Sequence, residues 1–381
     1  MTQGHGTPSE PSTLRSGGRL GDHWSGRDNN FNLLRLVAAT LVLVSHSFAI
    51  SLQSGAAEPF RASLGLSLGE LAVDIFFAAS GFLVTASLVT RRDAIEFAAA
   101  RCLRIFPGLW VSLALTVLVF GFCFTSLAPS AFFSEWQTWR FAIKNALLVR
   151  GVEWTLPGFP HAVNGSLWTL PSEIAMYALL GGTWVGLWFL RGRRPGVLSM
   201  LCIVAALLGV VVDLSLFLTD TPTDFWRLFA KFFCGAALYV ARDRIPATRL
   251  WLAGVVALLA LSAFSMTAFG VVYRCSIAYL TLYLALVPAG RVRLFNRVGD
   301  FSYGMYIYAF PVQIAIYHLW PQVGPLRMLV LAFVITWLFA YASWHLVEER
   351  SLRLKSAFQR WRKAGWKRVP GVLPGPEQPP A

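Results

Sequence analysis

Charge is scarce in this chain. Of 381 residues, 14% are Asp, Glu, Lys or Arg, against about 25% in an ordinary soluble domain. That scarcity excludes a soluble globular enzyme, which needs far more polar surface. The 56% share of hydrophobic residues excludes a disordered chain. Cysteine is sparse too. Cys102, Cys123, Cys202, Cys234 and Cys275 are scattered, odd in number and mostly inside apolar runs. No CxxC pair or His/Cys ligand spacing occurs, so neither a disulfide framework nor a metal site is expected. The short alternating runs of a membrane β-barrel are missing. So are GxGxxG, Walker, HExxH and GxSxG motifs, which excludes a nucleotide-hydrolysing pump.

What remains is long apolar runs. Ten can be traced, at 31–50, 71–90, 105–126, 169–190, 196–218, 225–241, 250–269, 271–289, 301–319 and 327–346. Each is long enough, at 1.5 Å per residue, to cross a hydrocarbon core of about 30 Å. The expected fold class is therefore all-α, a polytopic membrane protein with about ten transmembrane helices. Phe269-Gly270 is the expected hairpin of the seventh and eighth spans.

The net charge of +14 would suggest nucleic acid on a soluble protein. Here it follows the membrane sidedness of Lys and Arg, and no nucleic-acid partner is expected. Alternate connections and the two tails hold 24 Lys and Arg, among them Arg91, Arg193, Arg242 and Arg291, whereas the intervening connections hold 4, namely Arg61, Arg140, Lys144 and Arg150. The asymmetry predicts cytoplasmic termini, an even number of spans and a multi-pass place in the inner (plasma) membrane.

Three segments flank or interrupt the ten-span region 29–348. Residues 1–28 lack an apolar period and predict a disordered cytoplasmic tail. Residues 127–168 form one long outer connection with Trp136, Trp139, Trp154 and Trp168. It suits either an interfacial aromatic anchor or a lid over an acceptor site. Residues 349–381 make a basic cytoplasmic tail, whose stretch 350–368 mixes Arg and Lys with Leu352, Phe358 and Trp361 and fits an amphipathic helix on the inner leaflet.

Ionisable groups inside spans are costly and so become functional candidates. Arg35 and His46 lie in the first span, eleven residues apart. Eleven steps of about 100° end about 20° past three full turns, so both share one helix face, about 16 Å apart along the axis. Histidine titrates near neutrality and suits general-base work. Asp74 and Glu173 lie at a similar expected depth to His46, and a carboxylate beside the ring would orient it and stabilise its cation. Arg101 and Arg104, at i and i+3, share a face and suit phosphates. Ser80-Gly81 suits close helix packing.

Six blocks in order, "FNLLRLVAATLVLVSHSF", "VDIFFAASGFLVTASL", "RCLRIFPGLWVSL", "NGSLWTLPSEIAMYALL", "FSYGMYIYAFPVQ" and "SWHLVEERSLRLK", resemble acyltransferase family 3 membrane proteins, from residue 31 to about 355. The resemblance implies a ten-helix fold that moves an acyl group, commonly acetyl, from cytoplasmic acyl-CoA to a hydroxyl of a cell-surface carbohydrate. By position, His46 matches the family's essential histidine and Arg35 its paired arginine. Arg101 and Arg104 match the pair linked to the donor, and Glu173 matches the acid of the SLWTLPxE block, where Ser166 and Trp168 are the substrate-binding candidates. Many members carry a histidine where this chain has Ala309, so no second catalytic histidine is expected there. Some members also carry a fused extracytoplasmic domain. Only a ~35-residue tail follows the last span here, so acceptor handling is expected in the membrane domain and 127–168, or in a separate protein.

The expected mechanism has Arg101, Arg104 and Arg35 holding coenzyme A phosphates at the inner face, with His46, oriented by Asp74 or Glu173, deprotonating the acceptor hydroxyl. A covalent acyl-histidine is the less favoured variant. The alternative class is a proton-coupled secondary transporter, which buried Arg, His, Asp and Glu would also suit.

Overall fold

The structure, a computed structural model, describes residues 18–26, 28–91, 93–148, 153–191 and 195–366. Among these there is helix but no strand. In hydrocarbon a helix satisfies its backbone polar groups within itself, so apolar runs of this length have little other choice.

The chain enters with α1 (Phe31–Ser51) and crosses a loop holding α2 (Arg61–Leu64). It then forms α3 (Leu68–Arg91) and α4 (Ala94–Val119), which a π-helical turn extends to Phe124. Short α5 (Pro129–Ser134) and α6 (Trp136–Leu147) follow in the long connection. The second half has α7 (Thr169–Arg191), α8 (Pro195–Leu218), α9 (Asp224–Val240), α10 (Arg249–Ser262), α11 (Met266–Leu286), α12 (Ser302–Leu319), α13 (Pro325–Ser343) and α14 (Glu349–Trp366).

Among the described residues, six stretches are long and apolar enough to cross a membrane: α1, α3, α4 with its extension, α8, α11, and α13 continued into α14. The other four expected spans are helical as α7, α9, α10 and α12 and are not among those six over the described residues. Enclosure differs sharply among the six. Within an apolar stretch of 18 residues in each, 72% is buried in α3 against 22% in α8, so α3 is the central post and α8 faces outward.

Small residues let α9 reach α3. A Cβ at Gly81 would collide with the carbonyl oxygen of Phe232, and one at Gly235 with that of Ala78. The two backbones therefore touch at reciprocal glycines, as close-crossing membrane helices do. Gly81 fits the expected packing role, whereas the neighbouring Ser80 turns its hydroxyl to Glu173 at 3.4 Å.

Two boundaries differ from expectation. The break between the seventh and eighth spans falls at residues 263–265, where Ser265 caps Ala268 N at 3.4 Å. Gly270 instead sits inside α11 against the Phe217 ring. Residues 18–26 are ordered, correcting the disordered reading of 1–28 at that point. Leu20 is fully buried, its amide bonds the Ile245 carbonyl at 3.0 Å, and Trp24 stands edge-on to Phe82 at 5.1 Å. Two apolar side chains suffice to dock a short polar stretch. The expectations for 1–17, 27 and 367–381, and for the basic positions Arg92, Arg150, Arg193 and Arg194, lie outside the described residues.

The long connection serves two ends at once. Phe132, Phe141, Val163 and Leu167 bury against the bundle, while Trp136, Trp139 and Trp154 stay exposed. Its last turn, a 3-10 helix at Gly165–Trp168, delivers side chains to the interior.

Candidate active site

The interior holds two neighbouring cavities, and α1 feeds both. Arg35 lines a small one of about 40 Å³ with Ser80, Thr169, Glu173, Ser302 and Tyr303. His46 lines a larger one of about 270 Å³ with Ser45, Glu58, Arg61, Glu70, Ser166, Trp168 and Arg227. Val73 and Tyr306 line both and form the wall between them. The Tyr306 hydroxyl donates to the Ser166 carbonyl at 2.7 Å and meets the Thr169 hydroxyl at 2.7 Å.

Around Arg35 the charges are knitted together. Asp300, in the loop before α12, takes Arg35 at 2.9 Å and Arg104 at 2.5 Å on one oxygen, and Ser302 on the other. Burial opposes its ionisation, but Arg104 and Arg35 prevail and hold its carboxyl below the usual value. Arg104 also reaches Glu348 at 3.6 Å. Arg101 has no ion pair among the described residues. Its guanidinium lies 5.8 Å from the Tyr177 ring centre, and its Nε is buried without a hydrogen-bond partner. The i, i+3 spacing did place Arg101 and Arg104 side by side. Their surroundings make one a neutralised strut and leave the other unpaired.

At the His46 end the imidazole stands edge-on to Phe310 at 5.0 Å. Phe310 has room because Gly165 lacks a side chain there: a Cβ would sit 2.7 Å from the ring. The histidine Nδ1 is buried with no partner, and so is the Ser166 hydroxyl. Ser166 and Trp168 do line this cavity.

Neither Asp74 nor Glu173 hydrogen-bonds the imidazole, which corrects the expectation that one of them orients it. Asp74 is fully buried and engaged by Arg227 at 3.1 Å and by the Tyr273 hydroxyl at 2.9 Å. Glu173 takes hydrogen bonds from Tyr177 and Ser80 and lines the Arg35 cavity instead. A buried carboxylate settles on the nearest strong donors. For these two the donors come from α9, α11, α7 and α3.

Several charged residues escaped the candidate set. Lys231 and Asp213 pair at 3.2 Å deep between α8 and α9, with Arg274 3.5 Å from the same carboxylate. Their signal was available, since each is an ionisable residue in an apolar run. Glu58 and Asp300 sit in loops and had no such signal. No group of His, Cys, Asp and Glu fit to hold a metal occurs among the described residues.

A helical membrane bundle with two neighbouring interior cavities, one lined by Arg35 and the other by His46, with Val73 and Tyr306 lining both, defines an integral membrane protein with a polar interior site. The sequence comparisons name its kind. A family model described as an acyltransferase domain matches residues 28–345, and the chain belongs to acyltransferase family 3. It is 32% identical over 344 residues to an O-acetyl transferase of Shigella phage Sf6, covering 87% of this chain and 98% of that protein. It is 29% identical over 370 residues to Nodulation protein 10 of Rhizobium leguminosarum bv. viciae, covering 89% and 97%. No solved structure matches the chain.

Proposed function

We propose that this acyltransferase moves an acyl group, most simply acetyl, from cytoplasmic acyl-CoA to a hydroxyl of a surface or exported glycan, across the inner membrane in which it sits with both termini cytoplasmic. The observation that carries the proposal is the pair of abutting cavities. One is lined by Arg35 and the other by a histidine with a free ring nitrogen, and Val73 and Tyr306 line both. The relative named as an O-acetyl transferase supports the chemistry.

Coenzyme A is polyanionic, and guanidinium forks suit its phosphates. Arg101 is the best placed, being unpaired, with Arg104 and Arg35 held beside it by Asp300. The pantetheine arm would run along the Arg35 cavity towards Tyr306, whose side chain must turn for the thioester to pass. The acceptor would enter the His46 cavity beside Trp168 and Ser166. His46 takes the hydroxyl proton as the oxygen attacks the thioester carbonyl. The C–S bond then breaks, and the departing thiolate takes the proton back from the imidazolium. Holding both substrates against one wall supplies the proximity term.

The test is mass spectrometry of surface glycans from cells carrying wild-type protein, no protein, or His46→Ala at normal abundance. Loss of the same acyl group in the last two is expected. Acylation persisting in His46→Ala would remove the histidine from the mechanism.

A further inference from the structure

His46 needs a counter-charge that neither of the expected acids supplies. A histidine that accepts a proton in a half-buried cavity becomes a cation there, and a lone cation in such a place is costly. The charges facing the cavity can be accounted for element by element. From α2 and α3, Arg61 and Glu70 neutralise each other at 2.8 Å. From α9, Arg227 is satisfied by Asp74 and by Asp224, both at 3.1 Å. Asp224 is also 63% exposed at its side chain, which screens what remains of its charge. α12 contributes the neutral Tyr306. One acid is left: the side chain of Glu58, from the loop after α1, pairs with no cation among the described residues and takes a hydrogen bond from the hydroxyl of Ser45.

We infer that Glu58 is the positioning carboxylate of His46, facing it across the acceptor cavity and stabilising the imidazolium during transfer. The inference rests on the reading of His46 as the base. Local structure explains how a loop residue holds station. Pro59 follows Glu58 and disfavours helical backbone before it, and Glu58 is extended at φ −64°, ψ 139°. Ser45 precedes His46 on α1, so its bond to Glu58 ties the loop to the helix at the level of the ring. The cavity then contains one base without a partner and one acid without a counter-ion. Proton transfer from an acceptor hydroxyl to His46 turns that mismatch into an ion pair, so the pairing strengthens as the reaction proceeds.

The experiment is an NMR titration of histidine-labelled protein in nanodiscs. The chain has six histidines, and the His46 signal is assigned by its loss in His46→Gln. An opposite charge within a few ångströms shifts an imidazole by about one pH unit or more. The proton affinity of His46 should therefore fall about tenfold in Glu58→Gln and recover in Glu58→Asp, with the other five signals unmoved. In acyl transfer, the acid limb of kcat/KM should move the same way in Glu58→Gln. An unchanged His46 titration in a well-folded Glu58→Gln protein overturns the inference. Should Glu58→Gln fail to fold, Glu58→Ala and the milder Ser45→Ala, which frees the loop, are read by the same signal. Failure of the base reading is seen separately, as acyl transfer surviving in His46→Ala. The titration decides the pairing in either case.

Discussion

The buried cluster of Lys231, Asp213 and Arg274 allows a prediction whose sign follows from counting charges. Lys231 Nζ lies 3.2 Å from Asp213 and donates to the Arg274 carbonyl at 3.2 Å. Arg274 Nε lies 3.5 Å from the other oxygen of Asp213, and its guanidinium rests 3.8 Å from the Phe217 ring centre. Lys231 and Asp213 are 1% and 3% exposed, so solvent screens little. One anion thus serves two cations. Asp213→Asn leaves both unmatched, the situation in which breaking a buried pair costs about 3–5 kcal/mol. Lys231→Met keeps the Asp213–Arg274 pair intact, fills a similar volume, and loses the charged hydrogen bond to the Arg274 carbonyl, which keeps its helical partner on α11, at about 1–3 kcal/mol. The aspartate variant should therefore be the less stable by roughly 2 kcal/mol. The double variant should be less destabilised than the sum of the two, because its only unmatched charge is Arg274.

The assay is thermal unfolding of the purified protein in one detergent, followed by tryptophan fluorescence. Asp213→Asn should melt lowest, the double variant above it because it buries one unmatched cation instead of two, and Lys231→Met nearest wild type. If Lys231→Met melts at or below Asp213→Asn, Arg274 does not share the carboxylate and the charge count is wrong.

Three further outcomes follow from the geometry. Gly81→Ala should cost about 1–3 kcal/mol, because α3 and α9 must separate, while Gly182→Ala, with open space around it, should be neutral or stabilising by about 0.5–1 kcal/mol; paired melting curves decide. Arg101→Lys keeps a charge but loses the fork and should raise KM for acyl-CoA roughly tenfold or more, with little change in melting temperature; an unchanged KM would move the donor site elsewhere. Asp300 has a native pKa below its unfolded one, so its stabilisation is complete above the ordinary carboxylate pKa of about 4 and is lost as pH falls through the lower native value. Asp300→Asn should remove that acid-side loss of melting temperature and start from a lower plateau at neutral pH, because Arg35 and Arg104 lose their shared anion.

How much of this was readable from residues alone depends on how many helices a feature needs. Run length needs one helix, so each of the ten expected runs is helical, whereas the short α2, α5 and α6 carry no such run and were not expected. The turn between the seventh and eighth spans was misplaced because Phe269-Gly270 looked like the weak point, whereas Ser265 supplies a side-chain cap that Gly270 does not. The docking of Leu20 under the Ile245 loop needs two segments more than two hundred residues apart, and nothing in the polar stretch around it marks the contact.

The same logic sorts the site. Arg35 and His46 share a face of a single helix, and their eleven-residue spacing fixes both the face and the separation. Asp74, Glu173 and His46 lie on three helices, and sequence gives each an expected depth but not the direction in which it points. Depth is a poor guide to partnership when every buried carboxylate is drawn to the nearest donor. Arg227 reached Asp74 from α9, and Tyr177 reached Glu173 from one turn away on its own helix. The acid of the histidine's cavity that has no cation beside it among the described residues, Glu58, comes instead from a loop. A loop carboxylate is well placed for an acceptor site. In water before the acceptor arrives it carries little desolvation cost, and it acts on the imidazolium only once the cavity fills and water is displaced. A membrane-embedded acid in its place would have to be paired at all times, as Asp74 is, and a paired acid has no charge left to lend to the histidine.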